Sequence, residues 1–135
     1  MLFRSRPAGV LRGNETLLVV DDEAMFRRIT GRIMGGLGYT VLEATSGEQA
    51  LALLRAGEKQ ADLVLLDMVM PNTGGAETFA MIKREFPDLP VIICTGFSID
   101  YQCQKALDEG ARDFIQKPFD PNALALKIRA VLDGR

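Results

Sequence analysis

The run Leu63–Leu66, followed directly by Asp67, constrains the fold of this chain more than any other stretch. Four aliphatic residues without interruption are typical of a strand that is buried on both faces of a parallel sheet. Open sheets of this kind bind their ligands at the carboxyl ends of the strands, which is where Asp67 is predicted to lie. A buried charge is costly without a partner. We therefore interpret Asp67 as a functional group; the alternative is that it only starts a turn.

Composition excludes several classes of protein. The 135 residues are enough for one domain with a hydrophobic core, and a net charge of −2 gives no indication of nucleic-acid binding. The apolar runs are too short to span a bilayer and the N-terminus lacks a secretory signal, so we expect a cytoplasmic protein without a membrane segment. Cys94 and Cys103 lack the spacing of metal ligands and are expected to be reduced, buried thiols. The chain contains no histidine, which excludes histidine-based catalysis.

Residues 1–14 differ from the rest of the chain. They contain three arginines and no acidic residue, together with one proline and two glycines. We interpret them as a flexible N-terminal lead or linker, and we expect the folded domain to span residues 15–135.

Apolar runs alternate with helical patterns five times from Glu15 onward. Five βα units with short connections predict a parallel sheet with right-handed crossovers and helices on both faces. The expected fold class is therefore α/β, a doubly wound sheet in a three-layer α/β/α arrangement. The predicted strands are Thr16–Val20, Thr40–Ala44, Asp62–Asp67, Val91–Thr95 and Arg112–Gln116.

The helical patterns carry their own start and stop signals. Ser46–Gln49 matches a capping box, and Gly57 follows the expected end of that helix. The fourth helix is expected to start at Ser98, and Asp120 with Pro121 matches an N-cap followed by a proline in the first turn.

The first helix shows an apolar stripe. Phe26, Ile29, Ile33 and Leu37 recur on one helical face, which we expect to face the core. Gly38 follows in the position of a C-terminal cap.

Five functional side chains are predicted to meet at one edge of the sheet. Asp21 and Asp22 follow the first strand, Asp67 ends the third, Thr95 the fourth, and Lys117 follows the fifth. Carboxylates crowded together repel one another, and a divalent cation relieves that conflict. Carboxylates and carbonyls are the hard oxygen ligands that suit Mg²⁺. The alternative for the Asp21-Asp22 pair is a helix N-terminus that favours negative charge.

This set of residues also suits phosphoryl transfer. An ionised Asp67 can attack phosphorus to give an aspartyl-phosphate. Mg²⁺, Lys117 and the Thr95 hydroxyl could each meet one oxygen of the transferring group. Pro118 restricts the backbone after Lys117, and a cis bond is an expectation there.

Four motifs in the same order resemble the receiver domain of two-component response regulators. They are Val19–Glu23, Leu66–Pro71, Thr95-Gly96 and Lys117–Phe119, and the resemblance covers Glu15 to Leu132. It implies a flavodoxin-like (βα)5 fold with strand order 2-1-3-4-5. It also implies a phosphorelay in which Mg²⁺-dependent transfer moves a phosphoryl group from a partner's phosphohistidine to this chain.

The resemblance implies a role for each site residue. Asp67 would be the phosphoacceptor. Asp22 and Asp67 would bind Mg²⁺ directly, Asp21 through water, and the Val69 carbonyl would complete the protein ligands. Thr95 would bind the phosphoryl group.

The same resemblance gives Lys117 a phosphoryl-binding role and places Phe114 at the family's aromatic switch position. A plain core phenylalanine is the alternative for Phe114. Val69 and Phe97 are apolar and cannot orient an attacking water, so we expect slow autodephosphorylation of a protein that is not a turnover enzyme.

The implied partners are a histidine kinase or a histidine phosphotransfer protein, with no direct nucleic-acid contact and no membrane contact. Thr95-Gly96 and Gly13–Thr16 resemble receivers attached to hybrid histidine kinases. The face formed by the fourth helix, fifth strand and fifth helix would change on phosphorylation, and the chain would be a monomer or a weak homodimer through that face.

Two other functions remain as hypotheses. One is a phosphorylation-independent interaction module of receiver architecture; the complete acidic pocket with Thr95 and Lys117 argues against it. The other is a Mg²⁺-dependent phosphohydrolase, in which a second aspartate usually stands where this chain has Val69.

Overall fold

The computed structural model describes residues 11–70, 74–96 and 100–135. The predictions that concern Pro71, Phe97 and residues 1–10 lie outside these ranges. Ser98 lies outside them as well, but the described Asp100 bears on the predicted start of its helix.

Five parallel strands form one sheet in the order β2-β1-β3-β4-β5. This confirms the predicted α/β fold and strand order. The third and fifth strands each begin one residue later than the sequence predicts. The strands are β1 Thr16–Val20, β2 Thr40–Ala44, β3 Leu63–Asp67, β4 Val91–Thr95 and β5 Asp113–Gln116.

A helix follows each strand. The helices are α1 Ala24–Gly36, α2 Gly47–Ala56, α3 Gly75–Glu85, α4 Tyr101–Asp108 and α5 Pro121–Asp133. The buried residues of α1 and α5 pack on one face of the sheet, and those of α2, α3 and α4 pack on the other. The helices therefore cover both faces, as the βα pattern requires.

Along a strand, successive side chains point to opposite faces of the sheet. Because helices cover both faces, the central strands are buried on both sides. Leu18 and Val20 of β1 join the core beneath α2, α3 and α4, whereas Leu17 and Val19 join the core beneath α1 and α5. All five residues of β3 are buried, including Asp67 at its end.

The predicted helix caps are present, although one hydrogen bond of the capping box has a different partner. Ser46 Oγ accepts from the Gln49 N–H at 3.1 Å, but Gln49 Oε1 accepts from the Thr45 N–H rather than from Ser46. Asp120 Oδ2 accepts from the Ala123 N–H at 3.2 Å. Gly38, at φ +104°, follows α1, and a β-carbon there would collide with the Gly13 carbonyl.

For the middle of α1, the sequence predicts the wrong residues to be buried. The buried residues of this helix are Thr30 and Met34, Ile29 is 51% exposed, and Phe26 and Ile33 are half-buried. The reason is that α1 packs by its Thr30–Met34 line, so the apolar stripe lies along one side of the contact. Phe26, Ile29 and Ile33 border a surface groove, while Ile33 and Leu37 also pack against the core beneath α1 and α5, as predicted.

The predicted start of α4 is also corrected. Asp100 is extended, and its carboxylate accepts from the Cys103 N–H at 2.9 Å, so the helix begins at Tyr101. Asp100 is therefore the N-cap, because a capping residue must itself be non-helical.

Cys94 and Cys103 are both free and buried, as predicted. They belong to the core clusters on opposite faces of the sheet, so a disulfide between them is excluded.

The chain's first described residues contact the domain. Leu11 packs against the core beneath α1 and α5, and the Gly13 N–H donates to the Leu37 carbonyl at 3.0 Å. Arg129 of α5 forms an ion pair with Glu15 at 2.8 Å. Across residues 11–70, 74–96 and 100–135, no helix is long and apolar enough to cross a membrane.

Candidate functional site

Three aspartates converge at the carboxyl edge of the sheet, as the sequence predicts. Oxygen atoms of Asp21, Asp22 and Asp67 all lie within 4.8 Å of one another. Asp21 and Asp67 are only 1% and 4% exposed, whereas Asp22 is exposed. They come together because β1 and β3 are adjacent parallel strands, so the residues at their carboxyl ends are neighbours.

Asp67 is fixed in this pocket by the backbone. Its Oδ1 accepts from the Val69 N–H at 3.0 Å, and the Met68 N–H donates to the Cys94 carbonyl of β4. Burial is the largest cause that raises the pKa of Asp67 to about 6, and the negative charge of Asp21 adds to it. The Val69 hydrogen bond and the positive charge of Lys117 partly offset these effects.

Gly75 allows α3 to begin against the strand that carries Asp67. A β-carbon at Gly75 would lie 2.6 Å from the Asp67 carbonyl oxygen and 2.9 Å from the Met68 carbonyl carbon. Gly74, one residue earlier, has no atom within 4 Å of such a β-carbon. Of these two glycines, Gly75 is therefore the one whose backbone lies too close to another backbone segment to carry a β-carbon.

Lys117 supplies the positive charge of the pocket. Its backbone N–H donates to the Thr95 carbonyl at 2.7 Å, and the peptide bond to Pro118 is cis, as the sequence suggested. Its ammonium donates to Asp21 at 2.7 Å and lies 3.6 Å from Asp67 Oδ2. Burial by itself would lower the pKa of Lys117, but the hydrogen bond to Asp21 and the charge of Asp67 outweigh it and raise that pKa.

The other three predicted site residues, Thr95, Val69 and Phe114, differ in how deeply they are buried. Thr95 ends β4 and is 4% exposed, at the strand end beside Asp67. Val69 follows the pocket, and its side chain is 64% exposed. Phe114 is half-buried on β5, packs against the core beneath α2, α3 and α4, and has the Lys127 ammonium 5.3 Å from its ring centroid.

Three residues of the first loop and helix also shape the pocket, although the sequence analysis assigned them no role there. Glu23 accepts from Lys117 at 3.2 Å, and the Phe26 ring lies under the same ammonium. Arg27 donates to the Asp21 carbonyl at 2.8 Å and to Glu43 of β2. A sequence signal exists: residues 26 and 27 follow Glu23 by three and four positions, so one helical turn brings them beside the acidic loop.

Comparison with known proteins identifies the family. Residues 17–129 match the family model described as the response regulator receiver domain. The chain belongs to this family. Among solved structures, the receiver domain is similar to that of NtrX from Brucella abortus, with 30% identity, a TM-score of 0.82 and coverage of 88% of this chain and 99% of that chain. A CheY-like receiver from Methanospirillum hungatei is similar at 28% identity and a TM-score of 0.82, covering 90% of this chain and 96% of that one.

Curated relatives are longer than this receiver domain. The chain is 37% identical over 120 residues to the phosphate regulon transcriptional regulatory protein PhoB of Pseudomonas aeruginosa, covering 87% of this chain and 52% of PhoB. It is 38% identical over 120 residues to the transcriptional regulatory protein ResD of Bacillus subtilis, covering 88% of this chain and 49% of ResD. The chain thus spans about half the length of these relatives. It is a receiver domain of two-component signal transduction; its resemblance to hybrid histidine kinase receivers stays a prediction.

Proposed function

We propose that the chain accepts a phosphoryl group on Asp67 from the phosphohistidine of a partner and acts as a phosphorylation-dependent switch. The observation that carries this proposal is the convergence of a buried carboxylate with two further aspartates and a lysine. Asp67 lies within 4.8 Å of oxygens of Asp21 and Asp22 and 3.6 Å from the Lys117 ammonium. That combination offers a nucleophile, a cation site and a counter-charge in one pocket.

The donor set fits Mg²⁺. Carboxylate oxygens within 4.8 Å of one another are hard ligands. Among the described residues, Asp21 and Asp67 share one ion-pair partner, Lys117, so the pocket keeps excess negative charge. We assign Asp22 and Asp67 as direct ligands, Asp21 as a ligand through water, and the Val69 carbonyl as the remaining protein ligand. When bound, Mg²⁺ would neutralise these carboxylates and offset the negative charge of the transferring group.

The chain's own residues perform the transfer. An ionised oxygen of Asp67 forms the new O–P bond while the N–P bond of the phosphohistidine breaks, and the imidazole nitrogen retains that electron pair. A pKa of about 6 leaves Asp67 mostly ionised at neutral pH, as a nucleophile must be. The Lys117 ammonium and the Thr95 hydroxyl then donate to phosphoryl oxygens.

The partner that supplies the phosphoryl group is a histidine kinase or a histidine phosphotransfer protein. The donor must bring a histidine to the carboxyl edge of the sheet, and α1 begins at that edge. Met25 and Ile29 of α1 are 70% and 51% exposed, and Arg28 and Arg32 are exposed beside them. We propose that this apolar and basic surface of α1 contacts the donor.

Phosphorylation would be read through the α4-β5-α5 face, with Thr95 and Phe114 as the residues that move. The chain would act as a monomer or a weak homodimer through that face. It would not be a turnover enzyme, would work in the cytoplasm, and would not contact nucleic acid directly, in keeping with its net charge of −2.

The receiver domain would span residues 15–135, with residues 1–14 as a lead outside it. Glu15, at this boundary, forms an ion pair with Arg129 of the last helix. Leu11 and Gly13 of the proposed lead also contact the domain, through the core beneath α1 and α5 and through the hydrogen bond to Leu37.

Intact mass spectrometry tests the proposal. The wild-type chain is incubated with Mg²⁺ and acetyl phosphate, and an exposed aspartate change, Asp88→Asn, serves as the matched control. We expect one phosphoryl group on the wild type and on Asp88→Asn, and none on Asp67→Asn or with a chelator. A phosphoryl group that persists in Asp67→Asn would show that another residue is the acceptor.

A second outcome would favour the alternative function. If the wild-type chain binds Mg²⁺ but is modified neither by acetyl phosphate nor by phosphorylated histidine kinases, a phosphorylation-independent interaction module becomes the better assignment.

A further inference from the structure

The Lys117 ammonium has carboxylates on one side and an aromatic ring on another. It donates to Asp21 at 2.7 Å and to Glu23 at 3.2 Å. It also lies 4.0 Å from the centroid of the Phe26 ring, and the lysine side chain is 15% exposed. A cation over the face of an aromatic ring at this distance is attracted by the ring's electron-rich face.

The two kinds of contact behave differently when the lysine changes partner. A hydrogen bond to a carboxylate requires an N–H directed at one oxygen. The attraction to a ring depends on the position of the charge above the ring face and on no single N–H direction. In the structure two of the three N–H groups of the Lys117 ammonium are directed at Asp21 and Glu23, and the ammonium is 3.6 Å from Asp67. More than one hydrogen bond to a group on Asp67 therefore requires it to give up a bond to Asp21 or Glu23. The ammonium can rotate for this exchange while it stays above Phe26.

The Phe26 ring is itself held in place. The Phe119 ring meets it edge-on, with centroids 5.3 Å apart and an interplanar angle of 85°. Both rings line a largely apolar groove of about 400 Å³ that also includes Lys117 and Ile33. The Phe26 ring therefore covers one side of the ammonium at the edge of this groove, where it limits hydration from that side.

We propose that Phe26 is a positioning residue for Lys117: its ring supports the ammonium while hydrogen bonds to Asp21 and Glu23 are exchanged for bonds to the phosphoryl group. This inference rests on the proposed function, because it concerns the phosphoryl group on Asp67. It assigns to Phe26 an electrostatic role that its apolar character alone would not indicate.

Single-turnover phosphorylation by acetyl phosphate at saturating Mg²⁺ tests the role of the ring. Phe26→Leu should slow the reaction roughly 2- to 30-fold, the range that a cation–π contact supplies between exposed and desolvated sites. Phe26→Tyr keeps an aromatic face and should keep most of the wild-type rate. Ile33→Ala is the matched control, because it removes apolar packing from the same groove but leaves both rings and the contact beneath Lys117.

Nuclear magnetic resonance of Lys117 gives a readout that loss of packing would not reproduce. Lys117 Nζ lies 4.0 Å from the Phe26 ring centroid, so protons on the carbon next to it should be shifted upfield by the ring current. We expect this shift in the wild type and in Phe26→Tyr, and its loss in Phe26→Leu. Chemical denaturation of each variant accompanies the assay, so that rates are compared only among folded proteins.

The outcomes separate this inference from the proposed function. If the wild type is phosphorylated and Phe26→Leu reacts at the same rate, the role of Phe26 is refuted and the function stands. If Ile33→Ala slows the reaction as much as Phe26→Leu, packing of the groove explains the effect and the inference is overturned. If the wild type takes up no phosphoryl group, the proposed function fails and this inference fails with it.

Discussion

Asp67→Asn is expected to stabilise the metal-free protein at neutral pH, although it removes the proposed phosphoacceptor. Burial and the charge of Asp21 raise the pKa of Asp67 from its ordinary value of 3.8 to about 6. A shift of that size corresponds to about 3 kcal/mol of unfavourable interaction for the ionised carboxylate, since each pKa unit is about 1.4 kcal/mol. Asparagine is neutral but is not identical in shape and bonding to a protonated carboxyl. We therefore expect a gain of about 1 to 3 kcal/mol in the free energy of unfolding.

The raised pKa of Asp67 also predicts how the stability gain of Asp67→Asn changes with pH. Between about pH 4 and about pH 6, the folded chain binds a proton at Asp67 that the unfolded chain has already released. Folding is therefore favoured at the acid end of this window, and the contribution of Asp67 to stability falls as the pH rises through it. The advantage of Asp67→Asn should be full above about pH 6 and should disappear below about pH 4.

Urea denaturation measures this difference. The chain has no tryptophan, so far-ultraviolet circular dichroism is the suitable probe. Wild type, Asp67→Asn and the exposed control Asp88→Asn are unfolded with a chelator present at several pH values, and the wild type and Asp67→Asn again with Mg²⁺. Mg²⁺ should stabilise the wild type much more than Asp67→Asn, because the variant lacks one of the three converging carboxylates.

Two results would refute this reasoning. If Asp67→Asn is no more stable than the wild type at neutral pH without metal, the carboxylate is not the destabilising group that its burial implies. If Asp88→Asn gives the same gain, the effect is one of net charge and not of the pocket.

Three further changes test other parts of the structure. Val69→Asn, which offers a polar side chain to an attacking water, should shorten the lifetime of the phosphorylated state; an unchanged lifetime measured in seconds would contradict the expectation of slow autodephosphorylation. Gly75→Ala should destabilise the fold by about 1 to 3 kcal/mol and weaken Mg²⁺ binding measured by calorimetry, because its β-carbon meets the Asp67 backbone, whereas Gly74→Ala should do neither. Arg129→Met should cost about 1 to 3 kcal/mol at neutral pH, because it removes both short contacts to the Glu15 carboxylate and leaves that carboxylate, among the described residues, only Arg135 as an ion-pair partner, at 3.9 Å. The hydrogen bond from Arg129 lowers the pKa of Glu15, so this cost should shrink as the pH falls below the ordinary Glu15 value of 4.5, as denaturation at several pH values would show.

The sheet and the meeting of the aspartates were predictable because both depend on patterns that are local in the chain. Leu63–Leu66 can be buried on both sides only within a covered parallel sheet, and that sheet brings the strand ends carrying Asp21 and Asp67 together. The cap at Asp120 depends on neighbouring residues in the same way.

The less predictable features depend on how elements pack at a distance. The apolar stripe of α1 was assigned to the core, but the angle at which α1 meets the sheet buries Thr30 and Met34 and leaves Ile29 exposed. Helical periodicity identifies an apolar face without showing which part of it the sheet covers. The spacing of Phe26 from Glu23 places it beside the acidic loop, but its contact with Lys117 joins residues far apart in sequence and is not indicated by that spacing.

The unfavourable charge balance of the pocket connects its stability with its proposed chemistry. Asp21, Glu23 and Asp67 all lie within 4 Å of the single Lys117 ammonium, so the lysine cannot neutralise them together. Burial is the largest cause of the raised pKa of Asp67, and the negative charge of Asp21 adds to it. A pocket with balanced charges would make a more stable fold, but it would have little affinity for a divalent cation and would hold its lysine in permanent ion pairs. The excess negative charge therefore favours binding of the cation, and the shared lysine can turn toward a phosphoryl group on Asp67.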